Sequence, residues 1–180
     1  MDPFFISVFI LVILFVLLSY YLINTYNNVV TLKNYTDKAF ANIDILLKQR
    51  VDEIPELVNI TEQAMSHQKS LLLELAQLRE RYLVSHHTDH KIQINNEITH
   101  TLYNVLAIAE NYPQLNLLNN LHQLQKRLTL LENKIADRHE FFNDSVTLYN
   151  IGIQTFPNVV FAKILGYQIR TMLAINTIGE

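Results

Sequence analysis

The sequence predicts an all-α protein, in which a single N-terminal transmembrane helix is followed by an elongated antiparallel four-helix bundle. An uncharged apolar run opens the chain, and apolar residues recur at helical spacing through the remainder. The 180 residues include only three glycines and four prolines, and the prolines lie far apart, as breaks between helices would. Strand-like alternation with turn dipeptides is absent from the sequence.

The first element is the run FFISVFILVILFVLLSYYLI, residues 4–23, with no charged residue between Asp2 and Lys33. Its length matches the ~20 residues that a helix needs to cross a bilayer. A cleaved signal peptide would have a positively charged start, a shorter apolar core and a small-residue cleavage site, and the sequence has none of these. A buried core helix would need a larger soluble domain around it. We therefore predict a permanent single-pass anchor over residues 1–25 that contacts the lipid bilayer through residues 4–23.

The anchor helix is predicted to continue into water until Pro55 interrupts it, because a residue before proline avoids helical geometry. Its apolar stripe comprises Val29, Leu32, Ala39, Phe40, Ile43, Leu46 and Leu47. A second helix carries the stripe Leu57, Ile60, Ala64, Leu71, Leu75, Leu78 and Tyr82. One apolar stripe per helix favours a single shared core.

A polar connector, VSHHTDH over residues 84–90, leads to a third helix with Asp89 as its predicted N-cap. That helix carries Ile94, Ile98, Leu102, Val105 and Ala109. A fourth, long helix is predicted to start near Pro113, since proline suits a first helical position. The bundle accordingly covers residues 26–157, and residues 158–180 form a tail that is a short helix or a membrane-surface segment.

The long helix shows a strict 4,3 spacing of apolar residues, which keeps one seam facing a partner helix over many turns. Its apolar seam positions are Leu117, Leu121, Leu124, Leu128, Leu131, Ile135, Phe142, Tyr149 and Phe156. Arg138 also falls on the seam, where an unpaired buried charge would be costly. We expect its side chain to have a carboxylate partner or to reach solvent. Gly152 on the same seam would allow another backbone to approach closely.

Composition argues against several classes of function. The net charge is −3 and the 14 Lys and Arg residues are scattered, so the basic surface that nucleic-acid binding requires is missing. The absence of cysteine excludes disulfides, thiolate metal sites and cysteine nucleophiles. HHTDH offers imidazoles that could ligate zinc, but a polar turn explains the same residues. Glu97 and His100 have the spacing of di-iron bundle ligands, without a second copy. We expect no cofactor, no metal and no enzymatic activity.

Four segments in this order, YNNVVTLKN, AFANIDILLKQRVDEIPELV, LENKIADRHEFFND and YNIGIQTFPN, resemble the LemA family from about Tyr26 to Tyr167. The resemblance implies a single-pass bacterial membrane protein with a helical bundle, similar to a scaffold and with no catalytic residues to carry over. Two features depart from the family pattern: His139 replaces a frequent arginine, and QIRTMLAINTIGE extends beyond Tyr167. The residues taken as interaction or family-motif candidates are Tyr26, Asn27, Asp44, Lys48, Arg50, Pro55, Tyr149, Asn150, Phe156 and Pro157.

Two hypotheses about function remain open at this point. The first is a membrane-anchored scaffold or protein-interaction module, which presents its helices to an unidentified membrane or envelope protein or to itself as a homo-oligomer. The alternative is a ligand-sensing helical bundle at the membrane, with a small molecule bound between helices.

Orientation is predicted from the charges that flank the span. Lys33 and Lys38 follow it and nothing basic precedes it, and positive residues near a span tend to stay in the cytoplasm. We therefore expect the helical domain in the cytoplasm and the N terminus outside the bacterial cell membrane.

A cysteine introduced into the connector, at residues 86–90, should resist a membrane-impermeant maleimide in intact cells and react after permeabilisation. The chain has no native cysteine, so the signal reports that position alone. An Asp2→Cys variant is the matched control, because it should react in intact cells. Connector labelling in intact cells would contradict the predicted orientation.

Overall fold

The computed structural model describes residues 3–116 and 118–174, and all regular secondary structure in these residues is helical. This confirms the all-α prediction. The elements are α1 (Pro3–Thr61), a 3-10 turn (Ser66–Gln68), α2 (Lys69–Val84), α3 (Thr88–Ala109), α4 (Pro113–Asn116), α5 (Asn119–Gln154) and α6 (Asn158–Ile164). The described residues divide into two compact units. The first unit comprises residues 3–37 and 145–170, and the second comprises residues 38–144 and 171–174.

Helix α1 is 59 residues long and begins with the apolar run. Its most apolar window has a mean hydropathy of 2.8, and none of that window is buried within the protein. A helix of this length and composition is able to cross a membrane. It is the one helix among the described residues that meets both conditions.

Pro55 does not interrupt α1, which continues to Thr61, so the predicted break is wrong. Proline cannot donate a hydrogen bond to the carbonyl group of Val51, and it normally kinks or ends a helix. Here Ile54 and Leu57, on either side of Pro55, are both buried while Pro55 itself is exposed. Tertiary packing supplies most of the stability of helices in proteins, and in α1 the packing outweighs the local preference of proline.

The core of the second unit is built from one buried stripe on each of α1, α2, α3 and α5. From α1 and α2 it takes Ile43, Leu47, Val51, Ile54, Leu57, Leu72, Leu75, Leu78 and Tyr82. From α3 and α5 it takes Ile92, Ile98, Leu102, Val105, Leu121, Leu124, Leu128, Leu131, Ile135 and Phe142. These stripes largely match the predicted ones, because a 3.6-residue period places such positions on one face of a helix.

Helix α5 starts at Asn119, and the prediction of a start near Pro113 is wrong. Pro113 instead begins the short helix α4, after which the N–H of Leu118 donates to the carbonyl of Leu115 and the N–H of Leu121 to that of Leu118. Such i to i+3 bonds belong to tight turns and not to a continuing α-helix. Leu117 lies outside the described residues.

The predicted seam of α5 is buried from Leu121 to Tyr149, with the exception of Arg138, whose side chain is exposed to solvent. Phe156 is also exposed, because α5 ends two residues before it. At the start of α3 the N-cap is His87 and not Asp89. Asp89 lies in the first helical turn, where a carboxylate is favoured by the helix dipole.

In the first unit, a small apolar core forms between α1, α5 and α6. Its buried residues are Val29, Tyr149, Ile153 and Ala162, against which Leu32, Phe161, Leu165 and Tyr167 pack. Gly166 ends α6 with a φ of 68°, a left-handed conformation that glycine adopts without strain. The N–H of Tyr167 then donates to the carbonyl of Ala162, 2.9 Å away, and closes the helix end.

Gly152 marks a close approach between α5 and α1, as its seam position predicts. A Cβ atom at this residue would lie 2.3 Å from Cδ1 of Leu32. The neighbour is therefore a side chain, and not the second backbone that the sequence suggests.

Gly152→Val should lower the free energy of unfolding by about 1–3 kcal/mol, because the added methyl groups overlap Leu32. Leu32→Ala in the same chain should recover part of this loss. Thermal unfolding followed by circular dichroism in detergent would measure both. Leu148→Val, at an exposed position of the same helix, is the control, and an equal effect of the two valines would refute the close contact.

Candidate functional site

Arg50 of α1 is the largest fully buried side chain of the described residues, with 1% of its surface exposed. Its Nη1 donates to Oε1 of Glu132 on α5 at 2.7 Å. Its Nη2 donates to Oγ1 of Thr99 on α3 at 2.8 Å and to Oδ1 of Asn95. The buried Nε has no hydrogen-bond partner. One guanidinium group thus connects three helices of the second unit.

The local sequence explains why two α3 side chains reach the same guanidinium group. Asn95 and Thr99 are four residues apart and so lie on one face of the helix. The Thr99 hydroxyl donates to the carbonyl of Asn95 at 2.8 Å, which leaves its oxygen free to accept from Arg50. A buried charge is tolerated when it is paired and hydrogen-bonded, and Glu132 provides the opposite charge.

Asp44 of α1 occupies a second polar position, at the edge of the core of this unit, where its side chain is partly buried. Its carboxylate accepts a hydrogen bond from the Tyr82 hydroxyl at 2.6 Å and one from Lys91 Nζ at 2.9 Å. Burial, together with the hydrogen bond and the charge of Asp44, raises the pKa of Tyr82 above its ordinary value. The phenol therefore stays protonated at physiological pH and connects α2 to α1 as a donor.

A cavity of about 580 Å³ lies next to Arg50 in the second unit. Residues of α1, α3 and α5 line it, together with Leu173 and Ala174. The charged groups at its wall are Arg50, Glu132, Glu140 and Asp144, and His139 also lines it. No group of three or more His, Asp or Glu residues in the described part of the chain is arranged to hold a metal ion.

Residues 171–174 have no regular secondary structure, and side chains of α3 and α5 bind their backbone groups. Asn143 of α5 makes two hydrogen bonds to Leu173: Oδ1 accepts from the N–H at 3.0 Å, and Nδ2 donates to the carbonyl at 3.0 Å. Asn96 of α3 accepts from the N–H of Ala174 at 2.9 Å and donates to the carbonyl of Met172 at 3.3 Å.

Two more side chains contact the same backbone. Asp89 accepts a hydrogen bond from the N–H of Thr171 at 2.8 Å. His139 places Nε2 at 3.1 Å from the carbonyl oxygen of Leu173 and 3.2 Å from that of Ala174. Asp89 and Asn96 are seven residues apart on α3, and His139 and Asn143 are four apart on α5, so each pair lies on one helix face.

The first unit contains a similar contact. Oδ1 of Asn150 accepts from the N–H of Arg170 at 2.8 Å, and Nδ2 of Asn150 donates to its carbonyl at 3.0 Å. The Arg170 guanidinium pairs with Asp37 at 2.6 Å and lies 5.1 Å from the ring centroid of Tyr149. Partial burial raises the pKa of Asp37, but the hydrogen bonds and charges of Lys33 and Arg170 outweigh this and leave that pKa below its ordinary value.

The remaining candidates from the sequence lie at the surface. Tyr26 packs edge-on against Phe161, with ring centroids 6.2 Å apart. Lys48 pairs with Asp52 on the solvent face of α1. Asn27, Pro55 and Phe156 are exposed, and a cis peptide bond joins Phe156 to Pro157.

The candidates are thus distributed over both units: Asp44 and Arg50 belong to the second, and Tyr149 and Asn150 to the first. Sequence reasoning did not select Asn95, Asn96 or Thr99, because polar residues on a helix are normally expected to face solvent. Their one signal is that they fall within or next to the apolar stripe of α3.

Glu132→Ala should lower the free energy of unfolding by about 3 kcal/mol, because it leaves the buried guanidinium of Arg50 without an opposite charge. The double variant Arg50→Met with Glu132→Met should be more stable than Glu132→Ala, since neither charge then remains. Denaturant unfolding in detergent measures both variants. Lys48→Ala breaks an exposed ion pair and should cost under about 0.5 kcal/mol. An equal cost for Lys48→Ala and Glu132→Ala would contradict this account.

Comparison with known proteins places the chain in a family. No curated protein matches it. The family model described as the LemA family matches residues 39–179, which is most of the chain. The match extends past Tyr167, so the interpretation of QIRTMLAINTIGE as an extension beyond the family is wrong. The protein belongs to the LemA family.

Proposed function

We propose that this protein is a membrane-tethered scaffold or protein-interaction module without catalytic activity. The observation that carries the proposal is the continuity of α1, which bears the exposed apolar run at its start and core residues of the second unit near its end. A bilayer would cover residues 4–23, where nearly every side chain is exposed in the isolated protein. One helix would then tie the folded part to the membrane.

The finer architecture belongs to the same proposal. We infer that α1, α2, α3 and α5 form an antiparallel four-helix bundle in the second unit, supported by the three-residue connection between α2 and α3. The bundle would lie on the cytoplasmic side of a bacterial cell membrane. Its partner would be a membrane or envelope protein, or a second copy of the chain.

The absence of catalysis is supported by the way the charged groups of the core are used. Arg50 and Asp44 are each engaged with neighbouring side chains, and these bonds join helices to one another. A catalytic group needs a partner that prepares it for reaction, whereas the hydrogen bonds of Arg50 and Asp44 connect helices.

The cavity beside Arg50 favours a second candidate, a ligand-sensing bundle. Its volume of about 580 Å³ falls within the ~300–1,000 Å³ of typical small-molecule sites. A small molecule that raises the unfolding temperature of the full chain, and loses this effect in a variant with the cavity filled by Ala136→Phe, would favour the sensor.

Site-specific photocrosslinking in native membranes tests the interaction module. A photoreactive residue at Leu73, an exposed apolar position of α2, should give a discrete adduct with one protein. The same residue at Phe9 should give lipid adducts, because the run would lie in the bilayer. Two further exposed positions, Leu83 and Leu130, extend the search to other faces. Background labelling alone at all three exposed positions, in membranes where Phe9 labels lipid, would overturn the proposal.

A further inference from the structure

The groove between α3 and α5 holds residues 171–174 through their backbone atoms. Within these four residues, the contacts of Asp89, Asn96, His139 and Asn143 all go to N–H or carbonyl groups. The two asparagines each satisfy a donor and an acceptor of the segment. Backbone groups are the same in every non-proline residue, so these contacts do not depend on the side chains of the segment.

One side chain of the segment is nevertheless buried. Leu173 has 4% of its surface exposed and contributes to the wall of the cavity beside Arg50. Met172 is 40% exposed and Ala174 is also exposed. The groove thus combines backbone hydrogen bonds with one apolar anchor, which is how proteins that bind extended peptides obtain affinity from the main chain and specificity from a pocket.

We propose that the α3–α5 groove is a binding site for an extended segment of a partner protein with one aliphatic side chain, and that residues 171–174 are its built-in, displaceable occupant. This deepens the proposed function, on which it rests, because it gives the interaction module its binding surface. The groove takes a partner segment after the chain's own segment leaves. Both occupants present the same backbone groups to the same four side chains.

The charges of the surroundings restrict the partner segment. Asp89 lies in the groove, and Glu140 and Asp144 line the adjoining cavity, whereas the charge of Arg50 is compensated by Glu132. An acidic residue beside the anchor would meet carboxylates at short range and would be repelled. The partner segment is therefore neutral or basic around its aliphatic anchor.

The test uses a fluorescein-labelled peptide with the sequence of residues 168–180, added to the full chain in detergent. In the Leu173→Asp variant the internal segment is displaced, because its anchor becomes a carboxylate in an acidic cavity. Fluorescence anisotropy should then show that the peptide binds at least ten times more tightly to this variant than to the native chain, whose groove is filled. A chain that ends at Arg170 should behave like Leu173→Asp, so the result does not depend on one variant folding.

Matched controls separate groove binding from adhesion to detergent. Adding Asn143→Leu to the Leu173→Asp chain should weaken binding at least tenfold, whereas Asn104→Leu, at an exposed α3 position that contacts His100, should leave it unchanged. A peptide that is N-methylated at Leu173 lacks the N–H group that donates to Asn143 Oδ1, so it should also bind more weakly.

Three results would overturn the proposal. The first is equal affinity of the peptide for native and opened chains that circular dichroism shows to be folded. The second is binding that is insensitive to Asn143→Leu and to N-methylation. The third is formation of dimers by the native chain through exchanged tails, seen by light scattering, which would assign the groove to a second copy. A negative result for the peptide-binding groove does not change the outcome of the crosslinking experiment in membranes. The groove and the interaction module can therefore be refuted separately.

Discussion

The second unit depends on the pairing of a buried charge. Arg50 is almost completely buried, and a guanidinium group in that position would strongly destabilise the fold if Glu132 or the polar side chains of α3 were misplaced. Apolar stripes alone allow helices to slide or rotate against one another with little penalty. A single buried cation with directional donors permits few relative positions of the helices. The hydrogen bonds of Arg50 join α1, α3 and α5 at one position along their lengths.

Buried polar groups are also paired where residues 171–174 meet α3 and α5. Its backbone N–H and carbonyl groups cannot be satisfied within a helix or a sheet, and asparagine side chains replace the missing partners. A primary amide carries one acceptor and one donor group side by side, which matches the backbone of an extended residue. This complementarity is the physical basis for proposing that the groove accepts other extended segments.

The candidate site was only partly predictable. Arg50 and Asp44 were selected from a resemblance. Arg50 lies seven residues after Ile43 and three after Leu47, on the apolar stripe of α1. That spacing does not by itself identify a buried cation, because charged residues on amphipathic helices usually face solvent. Asn143 lies within the segment LENKIADRHEFFND that carries the family resemblance, while Asn96 was not selected at all. Its partners lie 76 and 78 residues later in the chain, a distance over which local periodicity carries no information.

The amino-acid sequence by itself determined the all-helical class, the apolar run of residues 4–23 and most of the buried stripes, because each of these follows from local composition and a 3.6-residue period. It also indicated the family, through the resemblance of four segments in a fixed order. Only the tertiary structure decided where the helices begin and end. Pro55 lies within α1, because the packing of Ile54 and Leu57 outweighs one lost hydrogen bond. Pro113 does not open α5, because a turn at Leu118 separates the short helix α4 from α5. It also decided the partners of Arg50 and of residues 171–174, because those contacts join residues that are distant in the chain and meet only after the helices have packed.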